Sequence, residues 1–170
     1  MNDWHYELAL RRELEVTEER LAGWVLEELD LFKEEVPIGA GPEGEAAGLA
    51  PHQLTQLLTV AEESASVPAV VNYLRYQIAR SKPGEGWRWQ DIGHQIVALL
   101  GDAVRGEARS AANRAAERVR GRGAMATENE QRQAWVQLTR LFLGVLRRRF
   151  VQRVNDMEYT ERSGEKGGTP

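Results

Sequence analysis

The sequence predicts an all-α, single-domain bundle of five or six helices. Apolar residues recur three and four positions apart in every patterned segment, and no segment shows the two-residue alternation of a strand. Helix boundaries are marked as well, because Ser66 can cap a helix that has Pro68 in its first turn, and the sequence at 82–86 would end it. With 170 residues, 42% of them hydrophobic, the chain is long enough to bury one core.

The stretch 66–104 is the centre of this prediction, with two amphipathic helices joined by the turn at 82–86. The apolar positions of the first helix are Val67, Val70, Val71, Leu74 and Ile78. Those of the second are Trp89, Ile92, Ile96, Leu99, Leu100 and Ala103. We expect Leu74 and Ile96 to be core residues, together with Leu138 and Phe142 from the last helix.

Composition divides the chain into four parts. Residues 1–35 are an acidic N-terminal helical segment with a kink or break near Thr17, and 36–50 form a linker rich in glycine and proline. Residues 51–157 are predicted to form the helical bundle core, beginning with a short helix over about 51–63. The remaining residues, 158–170, are predicted to be a disordered tail.

The N-terminal helix is expected to place its apolar residues on one face and its acidic pairs elsewhere. The apolar positions are Leu14, Leu21, Val25, Leu29 and Phe32. The acidic pairs either form a solvated face or dock on a basic surface, which would belong to a partner or to this protein's own arginine-rich half. A helix on a glycine-rich linker could also swap between neighbouring copies, so self-association is one of the expected interactions.

Charge is distributed unevenly along the chain. Residues 1–50 carry 4 basic and 13 acidic side chains, a net charge of −9, whereas residues 51–170 carry 18 basic and 13 acidic ones, a net of +5. Nineteen of the 22 basic residues are arginine, which suits bidentate contact with phosphate and stacking on bases. A GC-rich genome produces the same enrichment, so the arginine content leaves both explanations open.

An alanine-rich helix follows the central pair. Ala108, Ala112, Ala115, Ala116 and Val119 fall on one narrow strip, with arginines along both of its borders. Small side chains allow a helix to approach a neighbouring backbone closely, so this strip is expected to be a packing face.

The last helix is predicted from about residue 128 to 154, after a capping box formed by Thr127 and Glu130. Its apolar face runs from Ala134 to Leu146, and a straight helical wheel puts Arg149 in the middle of that face. Because a lone buried arginine is costly, we expect Arg149 either to project from the bundle or to meet a carboxylate or a phosphate.

Several kinds of chemistry are not indicated by the sequence. Cysteine is absent, which excludes disulfides, thiolate metal sites and cysteine nucleophiles, and fits a reducing cytoplasm. His5 and His94 have no carboxylate or histidine at metal-binding spacing, and His52 is expected to be an exposed first-turn residue. We find no nucleophile motif and no phosphate-binding glycine loop, so the prediction is a non-enzymatic protein without cofactor or metal. The sequence also contains no membrane-spanning segment.

Arginines lie next to aromatic residues at three places: around Tyr73 and Tyr76, around Trp87 and Trp89, and before Phe150. Arginine contacts to phosphate give sequence-independent affinity, and exposed aromatic rings can stack on single-stranded bases. This pattern indicates RNA or another single-stranded nucleic acid as a partner. The alternative is structural, since Trp89 fits the core and Tyr76 can stack with Arg80 one turn on.

The sequence 86–93, Gly-Trp-Arg-Trp-Gln-Asp-Ile-Gly, resembles the opening of bacterial helix-turn-helix domains, in which a tryptophan precedes an Ile-Gly pair on the first helix. In those domains a recognition helix follows within a few residues. Here the first helix continues through 95–100, and the candidate second helix starts at Ala108. The resemblance implies a DNA-binding transcriptional regulator as an alternative function, and a purely protein-interaction bundle is a third.

The wider layout resembles the small helical subunit of type III CRISPR effector complexes. The resemblance lies in Gln-Leu-Thr-Gln-Leu-Leu at 53–58, in Val-Val-Asn-Tyr-Leu-Arg-Tyr-Gln-Ile-Ala-Arg at 70–80, and in a closing helix with aromatic and arginine residues, over about residues 51–154. It implies a non-catalytic bundle that acts in antiviral defence, associates with other subunits and contacts the guide–target duplex. The candidate contacts are Arg75, Arg80, Arg88, Arg147, Arg148, Arg149 and Arg153.

Overall fold

The computed structural model describes the backbone of residues 3–27 and 48–165, with side chains for 4–24 and 48–155. These ranges hold six α-helices and one 3-10 turn, so the predicted all-α bundle is confirmed. The α-helices are α1 (Asp3–Glu27), α2 (Pro51–Glu63), α3 (Val67–Arg80), α4 (Ile92–Gly101), α5 (Ala103–Arg120) and α6 (Glu128–Glu165). The 3-10 turn, Gly86–Asp91, lies between α3 and α4.

Helix α5 is the centre of the packing and lies against both α1 and α6. Its predicted alanine strip is buried at Ala108, Ala112, Ala115 and Ala116, although Val119 remains 40% exposed. Alanine side chains leave room for two neighbouring helices to approach one backbone. The small residues of α5 therefore allow it to pack between two helices.

Helix α1 belongs to the same core as the later helices. Tyr6, Leu10, Leu14 and Leu21 are buried in it. The predicted break near Thr17 is not present, because α1 is one continuous helix. The Thr17 hydroxyl donates 2.7 Å to the Glu13 carbonyl one turn earlier, which satisfies this buried polar group within the helix. The predicted apolar positions Val25, Leu29 and Phe32 lie outside the described side chains.

The turn between α3 and α4 is held by close packing. Trp87 and Trp89 are both buried. A Cβ on Gly93 would lie 2.6 Å from Ile78 Cγ1 and 2.7 Å from the Trp87 carbonyl oxygen. Only glycine therefore fits where the first turn of α4 crosses α3, and the Trp–Ile–Gly pattern of this stretch has a packing role.

The buried face of α6 rotates along the helix, so Arg149 does not lie in the middle of that face as a straight wheel would place it. Buried apolar residues recur every four positions, at Ala134, Leu138, Phe142, Leu146, Phe150 and Val154. Four residues turn a helix about 40° past a full turn, so this row winds slowly around its axis. Such rows are the ridges along which helices pack when they cross at an angle. Arg149 is consequently exposed, and Phe150 takes the core position.

The four predicted core residues Leu74, Ile96, Leu138 and Phe142 are all buried, as expected from their wheel positions. Helix α6 continues to Glu165, past the predicted start of a disordered tail at residue 158. Of the predicted linker 36–50, only residues 48–50 fall within the described ranges. Among the described helices, none combines the length and apolar character needed to cross a membrane.

Candidate nucleic-acid interface

Helix α3 presents one polar face to solvent. Val67, Val70, Leu74 and Ile78 are buried, and the side chains on the opposite side are exposed. The exposed positions are Pro68, Ala69, Asn72, Arg75, Tyr76, Ala79 and Arg80. Since α3 contains no Asp or Glu, its only charged side chains are the two arginines.

Arg80 and Arg88 lie together at the C-terminal end of α3. The Arg80 guanidinium lies 5.4 Å from the Tyr76 ring centre, and its Nη1 is 3.4 Å from the Tyr76 hydroxyl. Arg88 extends from the 3-10 turn and donates through Nη1 to the Ser81 carbonyl at 3.5 Å. We call Arg75, Tyr76, Arg80 and Arg88 the α3 arginine face. Within the described ranges, none of its three arginines forms an ion pair.

The predicted arginines of α6 have a different environment. Arg147 donates through Nε to the Thr55 hydroxyl of α2 at 2.9 Å. Arg148 pairs with Glu18 of α1, with 3.1 Å between Nη2 and Oε1. These two neighbours thus contact different helices, and each joins α6 to one of them.

Arg149 and Arg153 are exposed on α6. Arg149 borders a shallow depression of about 490 Å³ that it shares with Glu15, Glu18 and Glu19 of α1. An anionic strand at Arg149 would therefore approach three carboxylates. The seven predicted residues divide into two groups, one on α3 and the turn after it, and the other on α6 beside α1 and α2.

A group of ion pairs that the sequence did not locate joins α1 to α5. Glu13 is only 7% exposed, and its carboxylate accepts from Arg114 Nε at 2.7 Å and pairs with Arg118 Nη2 at 2.6 Å. Arg20 pairs with Glu107 farther along. Because the paired positions rise along α1 and fall along α5, the two helices are antiparallel. We call these contacts, together with Arg148–Glu18, the α1 seam.

Of the acidic pairs of α1, only Glu18–Glu19 lies within the described side chains: Glu18 pairs with Arg148, and Glu19 is exposed. The pairs Glu27–Glu28 and Glu34–Glu35 lie outside the described side chains. Docking of α1 on the protein's own arginine-rich half is observed, in α5 and in α6. The sequence signal for this docking is the unequal charge of the two halves. Sequence alone could not single out Glu13, because its partners lie about a hundred positions away.

Most of the candidate stacking aromatics are unavailable. Trp87, Trp89 and Phe150 are buried, and Tyr73 is half-buried against the core. Tyr76, by contrast, is 57% exposed. Of the aromatic residues that the sequence placed beside arginines, Tyr76 alone is exposed and could contact a base.

A second junction joins α1, α5 and α6. Glu130 of the capping box accepts from the Thr127 backbone at 2.7 Å and pairs with Arg120 of α5. The hydrogen bond from Arg120 is the main cause that holds the pKa of Glu130 below its usual range. Burial, with a smaller contribution from the charge of Glu130, raises the pKa of Tyr6 to about 12.

The junction of α4 and α5 bears on the resemblance to helix-turn-helix domains. The second helix begins at Ala103 rather than at Ala108, and Asp102 alone separates it from α4. Helix-turn-helix motifs use a turn of about three or four residues. In this respect the arrangement departs from that motif.

Comparison with known proteins identified no matching family model, no matching curated protein and no matching solved structure. Among the described side chains, those of residues 4–24 and 48–155, no cluster of three or more His, Asp or Glu could hold a metal ion.

Proposed function

We propose that this protein is a non-enzymatic helical subunit of a ribonucleoprotein, and that it contacts the backbone of RNA or single-stranded nucleic acid. The α3 arginine face makes the main contact, through Arg75, Arg80 and Arg88. The proposed assembly is of the type III CRISPR kind, after the family that the sequence resembles. As part of this proposal the protein acts in the cytoplasm.

One observation carries the proposal: the α3 arginine face has three cations, one exposed aromatic ring and no carboxylate partner within the described ranges. Unpaired arginines keep their capacity for phosphate, and a guanidinium beside a ring is a stable platform for a base. The predicted α6 arginines support the proposal less, since Arg147 and Arg148 already contact α2 and α1. In this proposal Arg147 and Arg148 have a structural role within the bundle.

The proposal is tested with R75Q/R80Q/R88Q and a fluorescent oligouridine RNA of about 12 nucleotides, within the usual range of single-strand sites. We expect the affinity of the variant to fall about tenfold or more in fluorescence anisotropy. The slope of log affinity against log salt should fall by about 0.7 for each phosphate that the variant no longer neutralises, or about 2 in total.

The control is R11Q/R12Q/R122Q, which removes three exposed positive charges from other surfaces. It should retain most of the affinity, because its three arginines lie outside α3 and the turn after it. The net charge changes equally in the two variants, so any difference between them reflects position. Equal losses in the two triple variants would contradict a localised site. Tight binding of the native protein to one duplex sequence would instead favour the helix-turn-helix regulator, since base contacts supply sequence discrimination.

A further inference from the structure

A groove of about 910 Å³ lies between the N-terminal end of α3, the first half of α5 and the first turns of α6. Ligand sites typically measure about 300–1,000 Å³, so the groove is large enough for several groups of a bound molecule. None of the seven predicted contact residues lines it.

Two arginines of α5, Arg105 and Arg109, face this groove one turn apart. The Arg105 guanidinium lies 5.0 Å from the centre of the Trp135 ring, whose Nε1 donates to the Leu100 carbonyl at 2.9 Å. The ring is therefore fixed, and it holds Arg105 in place before any ligand binds. A guanidinium that is already ordered loses less conformational entropy when it binds an oxyanion.

The charge balance of the groove favours an anion. Arg132 pairs with Glu128 at 3.1 Å, which leaves Arg105 and Arg109 opposite a single carboxylate, Asp102. Within the described ranges, neither Arg105 nor Arg109 forms an ion pair. Both can therefore contact phosphate oxygens.

The groove and the α3 arginine face share one exposed strip of α3. Pro68 lines the groove, and it also belongs to the exposed strip of α3 that continues through Asn72 to Arg75. The fourteen residues of α3 span about 20 Å at 1.5 Å per residue. One extended strand could thus follow α3 from the groove to Arg88.

We propose that this groove is a second contact site for the same single-stranded RNA, with Arg105 and Arg109 binding its phosphates. The inference rests on the proposed function and extends the path of the RNA strand from α3 to α5. The Arg105–Trp135 stack fixes where the first phosphate binds. Asn72, midway on the strip, offers an uncharged polar contact between the groove and the α3 arginines.

Two independent variants test the groove with the same 12-nucleotide oligouridine. R105Q/R109Q removes the cations, while G106E adds a carboxylate between them and leaves both in place. Gly106 has open space where the new side chain begins, and glutamate favours a helix more than glycine, so G106E should fold. We expect each variant to lose about tenfold in affinity, and R105Q/R109Q to lower the salt slope by about 1.4.

Matched controls change the same charges elsewhere. R12Q/R122Q removes two exposed arginines outside the groove, and G23E adds a carboxylate at another open glycine. Both should bind RNA nearly as the native protein does. A groove variant that binds RNA no worse than its control would overturn the inference. Displacement of the oligouridine by polyglutamate at equal charge concentration would overturn it as well.

The outcomes separate this inference from the proposed function. If only R75Q/R80Q/R88Q weakens binding, the groove is not a contact site and the proposed function stands. If only the groove variants weaken binding, the α3 arginine face is wrong and the groove stands alone. If all of them bind as their controls do, both proposals fail.

Discussion

The α1 seam and the α3 arginine face use the same residue type for different purposes. In the seam, Arg114 and Arg118 meet a carboxylate that is 7% exposed, and Arg148 meets Glu18. On the α3 face, Arg75 and Arg80 have no carboxylate on their helix. Neither they nor Arg88 form an ion pair within the described ranges. Arginine content alone therefore does not locate a binding surface; the position of the acidic residues does.

The difference has a physical basis in how each arginine is solvated. A guanidinium that already holds a carboxylate must give it up before it can bind phosphate, and the carboxylate left behind is costly when buried. An exposed guanidinium exchanges only water and counterions, which is favourable at low salt. The seam consequently stabilises the fold, and the α3 face remains free to bind.

The largest expected effect that tests this comparison comes from reversing the charge of Glu13. E13K places a third cation between Arg114 and Arg118 in a nearly buried position, and should lower the free energy of unfolding by about 3–5 kcal/mol. E13Q keeps an acceptor oxygen and should cost about 1–2 kcal/mol. Urea denaturation followed by circular dichroism measures both.

The matched control is E7K, which reverses an exposed glutamate on the same helix and should change stability by less than about 0.5 kcal/mol. If E13K were as stable as E7K, the seam would not hold the fold together. RNA affinity at a temperature where E13Q is folded should remain unchanged, since Glu13 lies away from the α3 arginine face.

Sequence predicts the features of this protein that are determined within one helix better than those that depend on contacts between helices. Periodicity within one helix located Leu74, Ile96, Leu138 and Phe142 in the core, because burial of a helix face is a local pattern. Arg149 was misplaced because a straight wheel ignores how α6 crosses its neighbours.

The candidate site shows the same limit. The α3 arginines are exposed on a face that the local apolar spacing defines, so sequence could place them. The pairing of Arg114 with Glu13, and the approach of Arg105 to Trp135, join separate helices and depend on the tertiary arrangement. No spacing rule within one segment predicts either contact.

An intermediate effect is expected from acid at the Glu130 junction. Arg120 holds the pKa of Glu130 below its unfolded value, so the pair stabilises the fold above pH of about 4.5. This contribution is lost as pH falls through the lowered pKa of the folded state. The α3 arginine face, which has no carboxylate among its residues, should add nothing to that acid dependence.

R120Q tests this point. It should cost about 0.5–1 kcal/mol at pH 7, because the pair is partly exposed, and it should flatten the loss of stability as the pH falls below about 4.5. R80Q is the control from the α3 face and should leave the loss of stability at low pH unchanged. If R120Q lost stability at low pH as steeply as the native protein, another carboxylate would determine the acid dependence.

The smallest effect is expected at the C-terminal arginines of α6, in the variant R147Q/R148Q/R149Q. Arg147 bonds to Thr55 and Arg148 to Glu18 in exposed contacts, so the triple change should lower the unfolding free energy by only about 1 kcal/mol. Its RNA affinity should fall no more than that of R11Q/R12Q/R122Q, because the nearby carboxylates of Glu15, Glu18 and Glu19 oppose a phosphate strand. A fall in salt slope equal to that of R75Q/R80Q/R88Q would show that both arginine groups bind phosphate. In that case the α1 seam and the α3 arginine face would not differ in function, since an arginine that pairs with α1 could still bind phosphate.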